Sequence, residues 1–167
     1  LAQLTLANFQ TVLANREFLL ALFNSVTIGL ASTAIVIVIA TPAAYICAVR
    51  EFPGRTQIEG WILSTRMLPA FVVVVPYFLL FRTAGLQDTL LGLIIMHVIV
   101  SLALAFFMLR SFFAELPREV LEAAYMEGAG TFRTLFSVAI PQVRSGTMAT
   151  AILVFIFAIF FFLLLVT

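Results

Sequence analysis

Few of the 167 residues are of types that commonly do chemistry. The single cysteine, Cys47, excludes a disulfide framework and a cysteine-rich metal site, and its apolar neighbours indicate a small buried hydrophobic residue. The single histidine, His97, lies in a long apolar segment, where it is either a functional group or a neutral side chain bonded to a neighbouring helix. All nine basic residues are arginines, so the chain lacks the glycine-rich lysine motif that cradles phosphates. We therefore predict no catalytic residue, no metal site and no cofactor.

The composition is that of a membrane protein. Apolar residues make up 63% of the chain and charged residues 10%, with a mean hydropathy of +1.19. A soluble domain carries roughly 25% charged residues, so this chain has too little polar surface to cover a soluble globule. The net charge of +1 also excludes a nucleic-acid-binding protein, because it provides no electrostatic footprint for phosphates.

Four segments are long and apolar enough to span a bilayer, which requires about 20 residues. The predicted spans are 22–48, 61–81, 89–109 and 146–166. Arg66 interrupts the second span near its start, where its side chain can snorkel to the interface. Prolines kink helices, so we expect a kink at Pro42 in the first span and a bent second span at Pro69 and Pro76.

The arginines predict the orientation of these spans. Seven of the nine lie in or beside the loops that follow the first and third spans, and only Arg16 and Arg82 lie on the other side. The seven are Arg50, Arg55, Arg66, Arg110, Arg118, Arg133 and Arg144. The positive-inside rule places both loops in the cytoplasm and both ends of the chain outside. Because the chain begins with Leu1 and shows no signal peptide, we expect it to be a piece of a longer polypeptide.

The 110–145 loop is too polar for a span and too long for a turn, and its first part predicts a short helix. Pro117 suits the first helical position, and Gly128 suits a left-handed C-terminal cap. Between them, Val120, Leu121 and Ala124 form an apolar stripe.

A second short helix is predicted from Phe132 to about Val138, with Thr131 as its cap and Pro141 ending it. Such a hairpin could lie on lipid headgroups, pack against its own bundle, or insert its apolar stripe into a groove on a soluble partner. The mixed, slightly acidic polar face argues against lipid headgroups, which attract basic helices.

One motif in this loop resembles a known family. Glu122-Ala123-Ala124 is followed after three residues by Gly128 and after nine more by Val138-Ala139-Ile140-Pro141. This pattern is similar to the EAA loop of ABC-importer permeases, with conservative changes at Val138 and Ile140. The predicted position between two spans, on the cytoplasmic side, is the one that the family pattern requires.

Further segments resemble the carbohydrate-type permeases related to the smaller membrane subunit of the maltose system. They are Leu4–Phe9, Asn24-Ser25, Tyr45–Arg55, Met67-Leu68-Pro69, Gly85–Thr89 and Phe112–Pro117. The resemblance implies an all-α integral membrane helical bundle of the type I ABC-importer kind. It also implies that residues 1–167 form a single transmembrane domain with about four of six expected spans and a cytoplasmic helical coupling hairpin.

The resemblance also implies an activity and a set of partners. The chain would form part of the solute path of an ATP-driven importer for a sugar or polyol, in a bacterial or archaeal plasma membrane. Its partners would be cytoplasmic ABC ATPase subunits, a second permease subunit that is identical or different, and an extracytoplasmic solute-binding protein. ATP hydrolysis would take place on the ATPase, so the chain itself is not predicted to be an enzyme.

The family's coupling function falls on the EAA loop. Glu122 would make a charged contact with the ATPase, Gly128 would allow close approach and chain reversal, and small alanines would fit a tight interface. The predicted coupling residues are Val120, Leu121, Glu122, Ala123, Ala124, Gly128 and Pro141. No residue is assigned to solute binding.

Two departures from the family pattern leave alternatives open. Glu127 replaces the usual aspartate and keeps its charge, but Ile159–Phe162 replaces a polar Trp-Asn-acid-Phe turn with apolar residues. This second change keeps a degenerate, non-transporting membrane scaffold as the alternative function. A secondary transporter would need intramembrane ionisable groups for ion coupling, and His97 gives that hypothesis little support.

Overall fold

A computed structural model describes residues 14–67 and 70–166, and all regular structure in these residues is helical. The all-α fold class is therefore confirmed for the described part. Leu4–Phe9, Leu68 and Pro69, which contribute to the sequence predictions above, lie outside the described residues.

The first helix, α1 (Arg16–Val49), contains the predicted first span and extends it at its amino end. Asn15 caps it, because its side-chain oxygen accepts hydrogen bonds from the backbone N–H groups of Glu17 (2.9 Å) and Phe18 (3.4 Å). Its 34 residues give a length of about 51 Å, well beyond the hydrocarbon thickness of a bilayer. The helix continues through Pro42 to Val49.

The predicted second span is divided into two helices, α2 (Arg55–Met67) and α3 (Ala70–Thr83). The segments Arg55–Met67 and Val72–Thr83 meet at 95°, so the bend expected in the second span separates two helices. Pro69 follows α2 in the sequence, and a proline both removes a helical hydrogen bond and restricts the residue before it. Pro76, by contrast, lies within α3 without ending it.

The third predicted span lies within α4 (Leu90–Ala114) except for its first residue, Thr89, and the fourth lies within α8 (Arg144–Val166). Thr89 caps α4 by accepting a hydrogen bond from the N–H of Gly92 at 3.0 Å. Among the described residues, α1 and α4 are each long and apolar enough to cross a membrane alone. The number rises to four if each of two bent helix pairs is one span, α8 being paired with the segment Thr131–Gln142 at 82°.

Helices α1, α4 and α8 pack together around one apolar core. Its fully buried side chains include Val36, Tyr45, Leu109, Phe113 and Val154. Gly29 and Gly146 permit close helix approach, because a Cβ atom at these positions would overlap the rings of Phe155 and Phe112 respectively. The core reaches the end of α4 and includes residues from the loop that follows it.

Candidate functional site: the hairpin of residues 118–142

Within the 110–145 loop, residues 118–142 form a helical hairpin, hereafter the hairpin. Its first helix, α5 (Arg118–Met126), begins after Pro117, which is the N-cap residue and not the first helical residue as predicted. Gly128 has φ +80°, which confirms the predicted left-handed cap. The N–H groups of Gly128 and Ala129 donate to the carbonyls of Tyr125 and Ala124, both at 3.0 Å, so α5 ends in a Schellman motif.

The second part of the hairpin is helical throughout but changes from α to π and back to α geometry. It consists of α6 (Thr131–Thr134), a π turn (Leu135–Ala139) and α7 (Ile140–Gln142). The prediction that Pro141 ends this helix was therefore wrong. A proline ring collides with the carbonyl four residues before it, and the wider π turn, closed by a hydrogen bond from the Ile140 N–H to the Leu135 carbonyl, accommodates the ring.

The apolar stripe of α5 faces the chain's own bundle in part. Leu121 is 5% exposed and Ala124 is 8% exposed, whereas Val120 is 37% exposed and Ala123 and Glu122 lie at the surface. Leu121 belongs to the apolar core. Of the alternatives left open by the sequence, packing against the bundle therefore accounts for Leu121 and Ala124, and these two side chains do not present a free anchoring surface.

A cluster of four side chains joins the hairpin to the end of α1. The hydroxyl groups of Tyr45 and Tyr125 are hydrogen-bonded at 3.1 Å. The guanidinium carbon of Arg50 lies 5.6 Å from the centre of the Tyr125 ring, and its Nη2 donates a hydrogen bond to the Thr131 hydroxyl at 2.6 Å. We call Tyr45, Arg50, Tyr125 and Thr131 the clasp.

Sequence reasoning did not identify the clasp. Tyr125 occupies a spacer position in the EAA pattern, and Thr131 was assigned to helix capping; Gly130 is the N-cap instead. The two tyrosines are 80 residues apart, so no local spacing links them. A tyrosine beside the apolar stripe of a short amphipathic helix was the one available signal, because a partly buried phenolic hydroxyl needs a hydrogen-bond partner.

A second polar contact holds α2 against the same end of α4. One carboxylate oxygen of Glu59 accepts hydrogen bonds from the Nε atoms of Arg110, at 2.7 Å, and Arg55, at 3.1 Å. The Glu59 side chain is 19% exposed and that of Arg110 is 25% exposed, so solvent screens this pair only in part.

The outer surface of the hairpin carries large apolar side chains that the rest of the described structure leaves uncovered. Met126 is 88% exposed, Phe132 66% and Phe136 64%. Glu122 and Gly128 are exposed on the same hairpin, as is Pro141. Exposed aromatic and methionine side chains among charged residues are typical of a surface that binds another protein.

The structure also places the single cysteine and the single histidine of the sequence. Cys47 is buried, as predicted. His97 is 5% exposed, and its Nδ1 lies 2.9 Å from the carbonyl oxygen of Leu93, so this nitrogen donates to its own helix. His97 lines a largely apolar cavity together with Ser101, Arg66 and Phe157.

Comparison with known proteins identifies the family. The family described as "Binding-protein-dependent transport system inner membrane component" matches residues 40–167, which include the hairpin and the clasp. The chain belongs to this family. The prediction of a membrane permease subunit of a binding-protein-dependent ABC importer is thus confirmed, and such subunits are not themselves enzymes. The match extends over residues 159–162, so the apolar residues there do not remove the chain from the family, and the scaffold alternative gains no support.

Two curated relatives resemble most of the chain. The trehalose transport system permease protein SugB of Mycobacterium tuberculosis is 39% identical over 154 residues, covering 92% of this chain and 56% of the relative. The diacetylchitobiose uptake system permease protein NgcG of Streptomyces coelicolor is 38% identical over 133 residues, covering 80% of this chain and 44% of the relative. The chain thus spans about half the length of these relatives.

A solved structure shows the same fold. It is a bacterial ABC transporter involved in the import of the acidic polysaccharide alginate, and one of its chains matches with a TM-score of 0.77 at 23% identity. The match covers 90% of this chain and 52% of that chain. The helical arrangement described above is therefore that of an ABC-importer permease.

Proposed function

We propose that this chain is a transmembrane subunit of an ATP-driven importer for a sugar or polyol, and that the hairpin couples it to a separate ATPase. The observation that carries this proposal is the exposed apolar surface of Met126, Phe132 and Phe136 on a hairpin that contains the EAA pattern. The remaining partners are a second permease subunit and an extracytoplasmic solute-binding protein.

The hairpin has two faces with different roles in coupling. Leu121 and Ala124 hold α5 to the bundle, while Glu122 and Ala123, which are exposed, face the ATPase. Gly128 reverses the chain so that both arms of the hairpin reach the same partner. The arginine distribution favours the cytoplasm for this side of the membrane, where ATP is available.

The solute class follows from the relatives. The names of both relatives described above state that they transport sugars. In this chain, the largely apolar cavity beside His97 combines the aromatic ring of Phe157 with the polar groups of Ser101 and Arg66. Such a combination suits a sugar, whose ring faces are apolar and whose edges carry hydroxyl groups. We place this cavity, between the predicted second, third and fourth spans, beside the solute path.

Capture of the ATPase tests the coupling surface. The full-length permease and its second membrane subunit are purified in detergent with the ATPase encoded in the same genome, using wild type, Gly128→Asp and Phe132→Glu. Gln57→Glu is the matched control, since it adds one negative charge at an exposed position outside the hairpin. We expect capture by wild type and control and loss in both hairpin variants. Equal capture by all four proteins would contradict the proposal.

A further inference from the structure

The clasp joins the hairpin to a helix that is not its neighbour in the sequence. Helices α4 and α8 flank the hairpin and receive its movements through the backbone. Helix α1 ends at Val49, 69 residues before the hairpin begins at Arg118, and the end of α1 contacts the hairpin through the side chains of Tyr45 and Arg50. Any displacement of the hairpin relative to α1 must therefore strain or break the clasp.

The Tyr45 side of the clasp is tightly packed in the core. Tyr45 is 0% exposed, and its ring makes an edge-to-face contact with Phe113 of α4 at a centroid distance of 5.4 Å. A fully buried aromatic side chain in a close-packed core has little freedom to follow a moving partner independently of its helix. Tyr45 consequently moves with α1 and α4 and not with the hairpin alone.

The hairpin side of the clasp is held at two points. Arg50 is the C-cap residue of α1, and its guanidinium group lies over the Tyr125 ring of α5 while donating to Thr131 at the start of α6. A guanidinium group can make a cation–π contact with one residue and donate a directed hydrogen bond to another at the same time. Arg50 thus contacts both arms of the hairpin on either side of the Gly128 turn.

We propose that Tyr45, Arg50, Tyr125 and Thr131 are positioning residues that transmit hairpin movement to α1. This inference rests on the proposed function, because the movement arises when the ATPase bound to the hairpin closes. Helix α1 packs against both α4 and α8, so its displacement rearranges the core of the bundle. The clasp adds polar contacts to the connections that the backbone and the packing of Leu121 in the core already provide.

The two tyrosines allow a test that alters hydrogen bonding with little change in packing. Tyr45→Phe, Tyr125→Phe and the double variant are assembled with the second membrane subunit and the ATPase in proteoliposomes. With the solute-binding protein and radiolabelled trehalose as the probe, trehalose uptake and ATP hydrolysis are measured in parallel. We expect unchanged ATPase capture, retained hydrolysis, and about fivefold less trehalose moved per ATP, the factor that one hydrogen bond of typical net strength represents.

The double variant separates a paired contact from two independent effects. If the hydroxyl–hydroxyl bond is the transmitting contact, the double variant moves as much trehalose per ATP as either single variant. Arg50→Lys, which keeps the charge but loses the planar fork, lowers the same ratio. Tyr77→Phe and Arg82→Lys are matched controls on α3, outside the clasp, and leave the ratio at the wild-type value.

Three results would overturn the inference in distinguishable ways. An unchanged ratio in every clasp variant excludes transmission through these contacts. A fall in uptake that follows a parallel loss of captured ATPase shows that the clasp only holds the hairpin in shape. Failure of the wild-type assembly to capture the ATPase or to move any of trehalose, diacetylchitobiose and glycerol contradicts the proposed function itself, and with it the inference.

Discussion

At the residue scale, the backbone of Gly128 determines how α5 ends. Its φ of +80° is unfavourable for a residue with a Cβ atom, although nothing in the described structure lies within 4 Å of the space that a Cβ would occupy. We expect Gly128→Ala to destabilise the hairpin by about 1 kcal/mol through backbone strain alone. Hydrogen–deuterium exchange of the α5 amides should be about fivefold faster than in wild type, since 1 kcal/mol corresponds to that factor.

Gly130 provides the control for this prediction. It also has open space around it, but its φ is −70°, and it serves as the N-cap residue of α6. Serine accepts this conformation and is a preferred N-cap residue, so Gly130→Ser should leave exchange unchanged. Equal exchange in the Gly128 and Gly130 variants would show that the positive φ contributes nothing to the stability of the hairpin.

A second prediction at this scale concerns the contact between α4 and α8. A Cβ atom at Gly146 would overlap the Cγ, Cδ1 and Cδ2 atoms of the Phe112 ring. We therefore expect Gly146→Ala to lower the free energy of unfolding by about 1–3 kcal/mol. Unfolding in mixed detergent micelles measures the loss, with exposed Ser145→Ala as the control. Adding Phe112→Leu should recover part of it, because a smaller side chain leaves room for the methyl group. A Gly146→Ala protein as stable as wild type would disprove the close approach.

At the scale of elements, Glu59 holds α2 to the end of α4. Glu59→Gln removes the charge that pairs with Arg110 and Arg55, and we expect a local loss of about 1 kcal/mol for this partly exposed group. Amides of α2 should exchange faster while those of α1 do not change. The exposed Glu51→Gln is the control. Uniformly faster exchange throughout the chain, or none in α2, would contradict a local tether.

The sequence predicted which segments become helices where the signal is local. Gaps between charges located α1, α4 and α8, and glycine and proline located the limits of α5 to within a residue. The sequence did not predict the separation of α2 from α3. Pro69 and Pro76 both indicate a bend, but Pro76 lies within α3 and does not divide it. The π turn was also missed, since a proline ordinarily indicates a helix end and not a change of winding.

The candidate site was predicted only in outline for a related reason. The EAA spacing identified the hairpin and its Gly128 turn, and both can be read from neighbouring residues. The side of α5 that becomes buried depends on where α1 and α4 end in space. Leu121 therefore could not be assigned to the core, nor Arg50 to the clasp, before the tertiary contacts were known.

At the scale of the whole molecule, the carboxyl-terminal ends of α1 and α4 pack against the hairpin. The His97 cavity is lined instead by residues of α2, α4 and α8 and by none of the hairpin. This separation suits a subunit whose energy source and solute lie in different places. A secondary transporter would instead draw on an ion gradient through ionisable groups inside the membrane. The family match favours a binding-protein-dependent importer over that alternative, and the energy source of this chain is the central prediction to test.

The most direct measurement is uptake of a radiolabelled sugar or polyol, with trehalose as the first probe, by proteoliposomes that contain the full-length permease, its second membrane subunit and its ATPase, with solute-binding protein outside and ATP inside. We predict uptake that requires both ATP and the binding protein and that persists when ionophores collapse all ion gradients. Uptake that continues without ATP, or that stops with the ionophores while ATP is present, would contradict the account.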